Sequence, residues 1–291
     1  MMINVDQPQS KELMELIEKI KIVGRTSATN EKLADYVIEN YMKIIFMTAG
    51  QLADEVKVSQ GSVSRFCINL KYKGYNDFLR NLQLMITKEM TLPQRVEFVT
   101  HGNSEDNENI FKNEHNNIDI IREVIKTPEY HNLKDKIVYA ENIVLLSARM
   151  SATILPYAFY TLNKIRNGVM QITPDSPRWD TINIMNPKKT LIITYVFPRY
   201  CNMLLKKLKE LKDDGFEIIA VTDANFLSIK GFVSSSISVP ITKGSIFDIY
   251  SAPILFTNML VKDVASNIRG IDKRIEKLEK VESDNNIYYK E

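Results

Sequence analysis

Runs of mainly apolar residues, each about the length of one β-strand, recur along the second half of the chain. They are NIVLLS (142–147), VMQIT (169–173), TLIITYV (190–196), EIIAVTD (217–223) and SISVPI (236–241). Strands without polar alternation are typical of a parallel sheet that is covered by helices on both faces. The segments between and after them, at 151–166, 177–185, 199–213 and 250–268, have helical spacing. The sequence therefore predicts a doubly wound α/β layer.

The first part of the chain shows a different pattern. Apolar residues recur there at helical spacing, and no strand-like alternation is present. Thr29 or Asn30 is a candidate N-cap for the second helix. Pro93, Gly102 and a polar, acidic cluster then indicate an interdomain linker, with a helix beginning in its second half. We therefore predict two domains: an all-α domain at 1–88, a linker at 89–118 and the α/β domain at 119–291.

Composition excludes several classes of protein. The apolar fraction of 44% supports a sizeable core, and a net charge of only +2 means that any nucleic-acid surface must be a local patch. The longest apolar runs are much shorter than the roughly 18–20 residues that span a bilayer. The N-terminus does not have the pattern of a signal peptide. Two cysteines form neither a metal cage nor a disulfide framework. We expect a cytoplasmic protein without a membrane partner, a metal or a cofactor.

The stretch AGQLADEVKVSQGSVSRFCINL, from Ala49 to Leu70, has the spacing of a helix-turn-helix. Such a motif needs a small residue where its two helices cross, and Ala53 fits that position. It also needs a buried anchor in the second helix, and Val63 lies ten residues later. Thr48 begins a capping box with Gln51, and Ser59 is a natural N-cap for the second helix.

With the apolar residues of the second helix turned inward, its outward residues are small or hydrogen-bonding. They lie at the N-terminal end, which is the end that enters a major groove in this motif. Glutamine and arginine can hydrogen-bond to base edges, and serine and threonine suit phosphate oxygens. The predicted contacts to double-stranded DNA are Thr48, Ser59, Gln60, Gly61, Ser62, Ser64, Arg65, Lys71 and Lys73.

Basic residues concentrate beside this helix. Between positions 57 and 80 the chain has five basic residues and one acidic residue, which gives a local charge of +4. Lys57 occupies the turn, where a glycine would relax the backbone. The alternative is a helical hairpin that packs against a partner protein.

The same residues carry a resemblance to a known family. Leu52-Ala53, Val58-Ser59, Val63, Arg65-Phe66-Cys67, Leu70, Gly74-Tyr75 and Phe78 match the pattern of RpiR/MurR-type bacterial transcriptional regulators. Members join an N-terminal helix-turn-helix domain to a C-terminal SIS (sugar isomerase) domain. The resemblance implies a regulator of transcription whose SIS domain binds a phosphosugar-related metabolite.

In the SIS domain the sequence departs from that pattern in two loops. The Gly-x-Gly-x-Ser loop after the first strand is Ser-Ala-Arg-Met-Ser here, and only the final Ser151 matches. A Ser/Gly-rich loop is replaced by TYVFPRY, 194–200. Both loops follow strands of the predicted parallel sheet, where ligands bind, and we expect each to lead into a helix that favours an anion. Pro198 would lie in the first turn of the second of these helices. The candidate effector-binding residues are Ser147, Arg149, Ser151, Thr194, Arg199, Tyr200 and Ser245.

A sugar-phosphate isomerase and a ligand-free dimerising scaffold are the alternatives. Isomerisation needs a base beside a carbonyl, but the two loops contain no glutamate or histidine, and the nearest acids, Asp175 and Asp180, follow the second strand. No catalytic residue is predicted. We expect a homodimer or homotetramer, because paired half-sites give more specificity than one reading helix. Arg149 and Arg199 could instead lie on the surface or at a subunit interface.

Overall fold

The chain forms two compact units. The computed structural model describes residues 11–45, 47–86, 92–100, 107–223, 227–243 and 245–289. The first unit is Met1–Asn107 together with Lys243–Asp248, and the second is Glu108–Thr242 together with Ile249–Glu291. Parts of the predicted linker, 89–91 and 101–106, lie outside the described residues. The predicted domain boundaries therefore stay predictions.

The part of the first unit between residues 11 and 100 forms helices joined by short turns where it is described, as the sequence predicts. Its helices are α1 (Lys11–Gly24), α2 (Ala28–Ile44), α3 (Ala49–Val56), α4 (Gln60–Asn69), α5 (Tyr75–Ile86) and α6 (Leu92–Phe98). The apolar faces of α1 to α5 share one core, in which Leu33, Leu52, Val63, Phe66 and Phe78 are almost completely buried. The N-cap of α2 is Ser27, so the prediction of Thr29 or Asn30 is wrong by two or three residues. The Ser27 side chain accepts a hydrogen bond from the amide of Asn30, so Thr29 lies in the first turn.

The second unit contains a five-stranded parallel sheet. The strands are β1 (Asn142–Ser147), β2 (Val169–Ile172), β3 (Thr190–Val196), β4 (Glu217–Thr222) and β5 (Ser235–Ser238), in the order β2-β1-β3-β4-β5. The helices of this half are α7 (Asn107–Val124), α8 (Pro128–Tyr139), α9 (Leu155–Ile165), α10 (Asn202–Asp213), α11 (Ser251–Ala265) and α12 (Ile271–Asp284). One buried cluster packs on each face of the sheet. The doubly wound α/β prediction is confirmed.

The strand order indicates where a ligand site is expected. The chain moves from β1 to β2 on one side and then crosses back to β3 on the other side of β1. In open α/β sheets, ligands bind at such a switch point, outside the carboxyl ends of the two strands beside it, which are β1 and β3 here. The register pairs Leu146 with Thr194 and Ser147 with Tyr195, so the two predicted loops leave the sheet side by side.

Some element predictions are wrong. The segment 177–185 forms no α-helix and contains only a 3-10 turn at Thr181–Ile184. The segment is short and lies between Pro177 and Pro187, and a proline disfavours helical backbone in the preceding residue. Strand β5 ends at Ser238, although the prediction extended to 241, because Pro240 has no amide to donate.

Candidate functional site

Hydrogen bonds define both the start of α3 and the turn that joins it to α4. The Thr48 amide donates to Gln51 Oε1 at 2.7 Å, and the Gln51 amide donates to Thr48 Oγ1 at 3.2 Å. After α3, the amide of Val58 donates to the carbonyl of Ala53 at 2.9 Å. Lys57 lies within the turn closed by this bond and has φ 57° and ψ 49°, in the left-handed region that favours glycine. The predicted turn, with its unusual backbone at Lys57, is confirmed.

Helix α4 begins at a capped, solvent-facing end. Ser59 Oγ accepts a hydrogen bond of 3.1 Å from the amide of Ser62. Val63, Phe66 and Cys67 turn inward and are buried. Burial raises the pKa of Cys67 to about 12, because the thiolate would lose its hydration. Cys67 is therefore a packing residue, and the opposite face of α4 is available to a partner.

The residues predicted to contact DNA lie at the surface of the first unit. Ser62 and Ser64 are half-buried, and Arg65 donates from Nη2 to Ser62 Oγ at 3.3 Å. Exposed to solvent are Thr48, Ser59, Gln60, Gly61, Arg65, Lys71 and Lys73. Lys71 follows α4 and has a left-handed backbone, with φ 73°. The structure thus brings a row of donors and cations to the start and end of one helix.

Sequence reasoning missed Ile68 on this surface. It lies three and four residues after Arg65 and Ser64, so it shares their side of α4, and it is 53% exposed. An apolar side chain beside hydrogen-bonding residues can contact the methyl group of thymine. The signal in the sequence is an isoleucine outside the inward set of the helix.

In the second unit, two arginines occupy left-handed positions in the loops after β1 and β3. Arg149 has φ 57° and Arg199 has φ 60°, and both side chains are exposed. Arginine rarely adopts this conformation, which favours glycine. Each loop therefore has a backbone turn that glycine would normally occupy, and the arginine at that turn exposes its guanidinium group. A guanidinium can bind a carboxylate or phosphate with two hydrogen bonds.

The loops do not enter α-helices where the sequence predicts. After β1 the chain forms a 3-10 turn, Arg149–Ile154, and α9 begins only at Leu155. After β3, α10 begins at Asn202, so Pro198 precedes the helix and does not lie in its first turn. The arginine side chains are therefore better placed than helix N-terminal amides to supply positive charge at these loops.

The hydroxyl residues of the predicted effector site have mostly internal roles. Ser147 is fully buried and donates from Oγ to the carbonyl of Tyr195 at 2.7 Å. Thr194 is also fully buried within β3. Ser151 Oγ accepts the amide of Phe197 at 3.1 Å, so it joins the two loops. Ser245 is exposed and belongs to the first unit, and its predicted role in the site stays a prediction.

A buried carboxylate at this edge of the sheet was missed from the sequence. Asp223 follows β4 directly and is 5% exposed, and its Oδ1 accepts the hydroxyl of Tyr200 at 2.6 Å. The acids nearest to the two loops are therefore not only Asp175 and Asp180. Asp223 could have been found by the rule that ligand-facing residues follow parallel strands, applied to EIIAVTD.

Neither a membrane span nor a metal cluster is present among the described residues. No helix in the described ranges is both long enough and apolar enough to cross a bilayer. Nor does this part of the chain group three or more histidine, cysteine, aspartate or glutamate side chains as metal ligands would be grouped.

Comparison with known proteins assigns the helical unit and the α/β fold. Residues 14–89 match the family model described as the helix-turn-helix domain of the rpiR family. Over 92% of this chain and 98% of the other, the structure is similar to the Vibrio vulnificus NanR protein complexed with ManNAc-6P, with 15% identity and a TM-score of 0.52. The sugar isomerase domain of an RpiR transcription factor from Sphaerobacter thermophilus matches 58% of this chain over 95% of its own length, with 16% identity and a TM-score of 0.51. No curated protein matches the chain.

Proposed function

We propose that this chain, in which an RpiR-family helix-turn-helix domain at residues 14–89 precedes a sugar-isomerase fold, is a DNA-binding transcriptional regulator. The observation that carries the proposal is the start of α4. There a capped helix end presents Gln60, Ser64 and Arg65 outward, while the opposite face is locked into the core. A helix supported in this way can enter a major groove without losing its packing.

We further propose that a small anionic, phosphosugar-related metabolite controls operator binding. Arg149 and Arg199 support this idea, because both project from loops at the switch point of the sheet. The similar NanR protein is complexed with a sugar phosphate, ManNAc-6P, which agrees with an anionic ligand class. The proposed effector contacts in the second unit are Arg149, Arg199 and Tyr200, whereas the buried Ser147, Ser151 and Thr194 are proposed to hold the loops in shape. The role predicted for Ser245 stays a prediction.

The effector must bind one arrangement of the regulator better than another, because a ligand of equal affinity shifts no equilibrium. A coupling free energy of about 1–3 kcal/mol is typical of such control. We propose that the regulator acts in the cytoplasm as a homo-oligomer, so that two copies of α4 read paired half-sites.

An isomerase is the second candidate function, and Asp223 is the observation that favours it. A buried carboxylate beside the loops could act as a base, although Tyr200 already occupies one of its oxygens. Turnover of common sugar phosphates by the purified chain separates the two functions. A regulator shows none, whereas an isomerase loses its turnover in the Asp223→Asn variant.

Two measurements test the regulator proposal. The full chain is first used to select binding sites from a pool of randomised double-stranded DNA, and we expect a related pair of short half-sites to be enriched. A thermal-shift screen with phosphosugars, amino sugars and sugar acids, ManNAc-6P included, then searches for the effector. A compound that binds the folded chain raises its melting temperature and should change affinity for the selected DNA. Failure to enrich any sequence would contradict DNA recognition, and an absence of stabilising compounds would favour the ligand-free scaffold.

A further inference from the structure

A cleft of about 200 Å³ lies within the first unit, between the first turn of α2 and the start of α4. Its lining consists of Ala28, Thr29, Lys32, Lys57, Val58, Ser59 and Ser62. We propose that this cleft seats a backbone phosphate of the bound DNA and that Lys32 and Lys57 supply its charge. The inference rests on the regulator function proposed above and extends the DNA contacts to α2, which the sequence did not implicate.

The charged residues that line the cleft are all basic. Among the described residues that line it, two are lysines, three carry hydroxyl groups and none carries a carboxylate. Neither Lys32 nor Lys57 forms an ion pair with an acidic residue in the described part of the chain, whereas Lys43, at the other end of α2, is paired with Glu55 at 3.1 Å. Two unneutralised ammonium groups at one cleft favour an anion.

The backbone of Lys57 points to the same partner. The residue has φ 57°, a conformation that glycine adopts with less strain, yet the chain places a lysine there. Strained positions concentrate at functional sites, where a side chain is needed in one fixed place. The hydrogen bond from the Val58 amide to Ala53 holds the turn, and so the base of the Lys57 side chain is fixed beside the cleft.

The cleft is continuous with the predicted DNA surface. Ser59 and Ser62 form part of its wall, and Ser62 also accepts a hydrogen bond from Arg65. A phosphate held here would therefore lie next to the end of α4 that reads bases. Phosphate contacts carry no sequence information, but they fix the register and orientation of a reading helix on the duplex. The expected role of the cleft is to position α4.

The test uses the full chain with Lys32→Gln and Lys57→Gly, each measured on selected DNA and on scrambled DNA of the same length. We expect both variants to bind both DNAs more weakly, by a similar factor on each. The slope of log affinity against log salt should become shallower by about 0.9 for each phosphate that is no longer neutralised. Lys57→Gly should keep or raise the melting temperature, because glycine accepts the left-handed backbone. Weaker binding by a fold of equal or greater stability is a result that a purely structural lysine would not give.

Lys19→Gln is the matched control, because it removes the same charge from an exposed position of α1, away from the cleft lining. It should leave affinity and salt slope close to those of the unmodified chain.

Inorganic phosphate serves as a probe in a second experiment, which measures the melting temperature of each protein. If it stabilises the unmodified chain but not the variants, and the variants bind DNA normally, the cleft takes a free anion and the proposal is wrong. If the unmodified chain binds DNA but the salt slopes of both variants are unchanged, the proposed phosphate contact in the cleft is wrong and the regulator function still stands. If the unmodified chain binds no DNA, the regulator function fails first.

Discussion

The hydroxyl of Ser151 accepts a hydrogen bond of 3.1 Å from the backbone amide of Phe197. The two residues are 46 positions apart, and the bond joins the loop after β1 to the loop after β3. Both residues are buried, so the amide has no ready access to water. Ser151 therefore holds the two loops of the candidate effector site together, in addition to any contact with a ligand.

Replacing this serine should weaken the second unit. In Ser151→Ala the buried Phe197 amide loses its acceptor, which typically costs about 1–3 kcal/mol. Urea denaturation followed by the fluorescence of Trp179, the single tryptophan, measures the change. Thr153→Ala is the control, because Thr153 lies in the same 3-10 turn and its exposed hydroxyl donates to the carbonyl of Met150. We expect about 0.5 kcal/mol or less there. If both variants lose equally little free energy of unfolding, the Phe197 amide finds another hydrogen-bond acceptor in Ser151→Ala.

Arg199→Gly should separate ligand response from DNA binding. Glycine accepts the backbone of this position, φ 60°, so the variant removes the guanidinium without straining the loop. We expect normal binding to selected DNA and a loss of about 10- to 100-fold in affinity for the best phosphosugar of the screen, as for a charge-assisted hydrogen bond of about 1.5–3 kcal/mol.

Asn286→Gly serves as the control for Arg199→Gly, because it makes the same replacement at another left-handed position, after α12. It should change neither binding nor response. If Arg199→Gly responds to the effector with unchanged affinity, the anion site lies elsewhere and Arg199 is better explained as an interface residue.

Arg65→Ala should reduce sequence preference while the fold persists. The side chain is exposed and donates its hydrogen bond to Ser62, three residues earlier on the same helix, so little packing is lost. Losing one base-reading pair costs about 1–3 kcal/mol on the selected site. Footprinting and competition with scrambled DNA measure the ratio of specific to non-specific affinity. The variants of the phosphate cleft should instead reduce both affinities together. An unchanged footprint from well-folded Arg65→Ala would remove this residue from base recognition.

The buried ion pair of the first unit should be intolerant of losing one partner. Arg95 Nη1 and Asp248 Oδ1 are 2.8 Å apart, and their side chains are 7% and 4% exposed. Arg95→Met leaves a buried carboxylate without its cation, which typically costs about 3–5 kcal/mol. Chemical denaturation followed by far-ultraviolet circular dichroism checks this value. The double variant Arg95→Met/Asp248→Leu removes both charges and should recover most of the loss. If it is no more stable than the single variant, the cost comes from packing and not from the unpaired charge.

Thiol labelling should distinguish the two cysteines. Burial raises the pKa of Cys67 to about 12, so almost no reactive thiolate forms near neutral pH in the folded state. Cys201 is only partly buried. Alkylation of the native protein at pH 8 should therefore modify Cys201 alone, and both cysteines should react in denaturant. Rapid labelling of the native Cys201→Ser variant would show that the core of the first unit opens readily.

The sequence determined those features that depend on neighbours along the chain. Helical spacing placed Val63, Phe66 and Cys67 inward and Gln60 and Arg65 outward, and the capping box at Thr48 marked the start of α3. Apolar runs of strand length predicted the parallel sheet, because a strand that is covered on both faces has no polar alternation. These patterns are local, so one sequence is enough to recognise them.

Contacts between residues far apart in the chain are visible only in the folded structure. There the Tyr200 hydroxyl donates a hydrogen bond to Asp223, and Ser151 accepts one from the Phe197 amide. Lys32 and Lys57 line one cleft. The fold also gives Arg149 and Arg199 the backbone of a glycine turn. Such contacts depend on how strands register and how helices cross, and residues far apart in sequence carry no periodic signal of their meeting. Spacing along the chain therefore specified the elements, and packing between elements specified the sites.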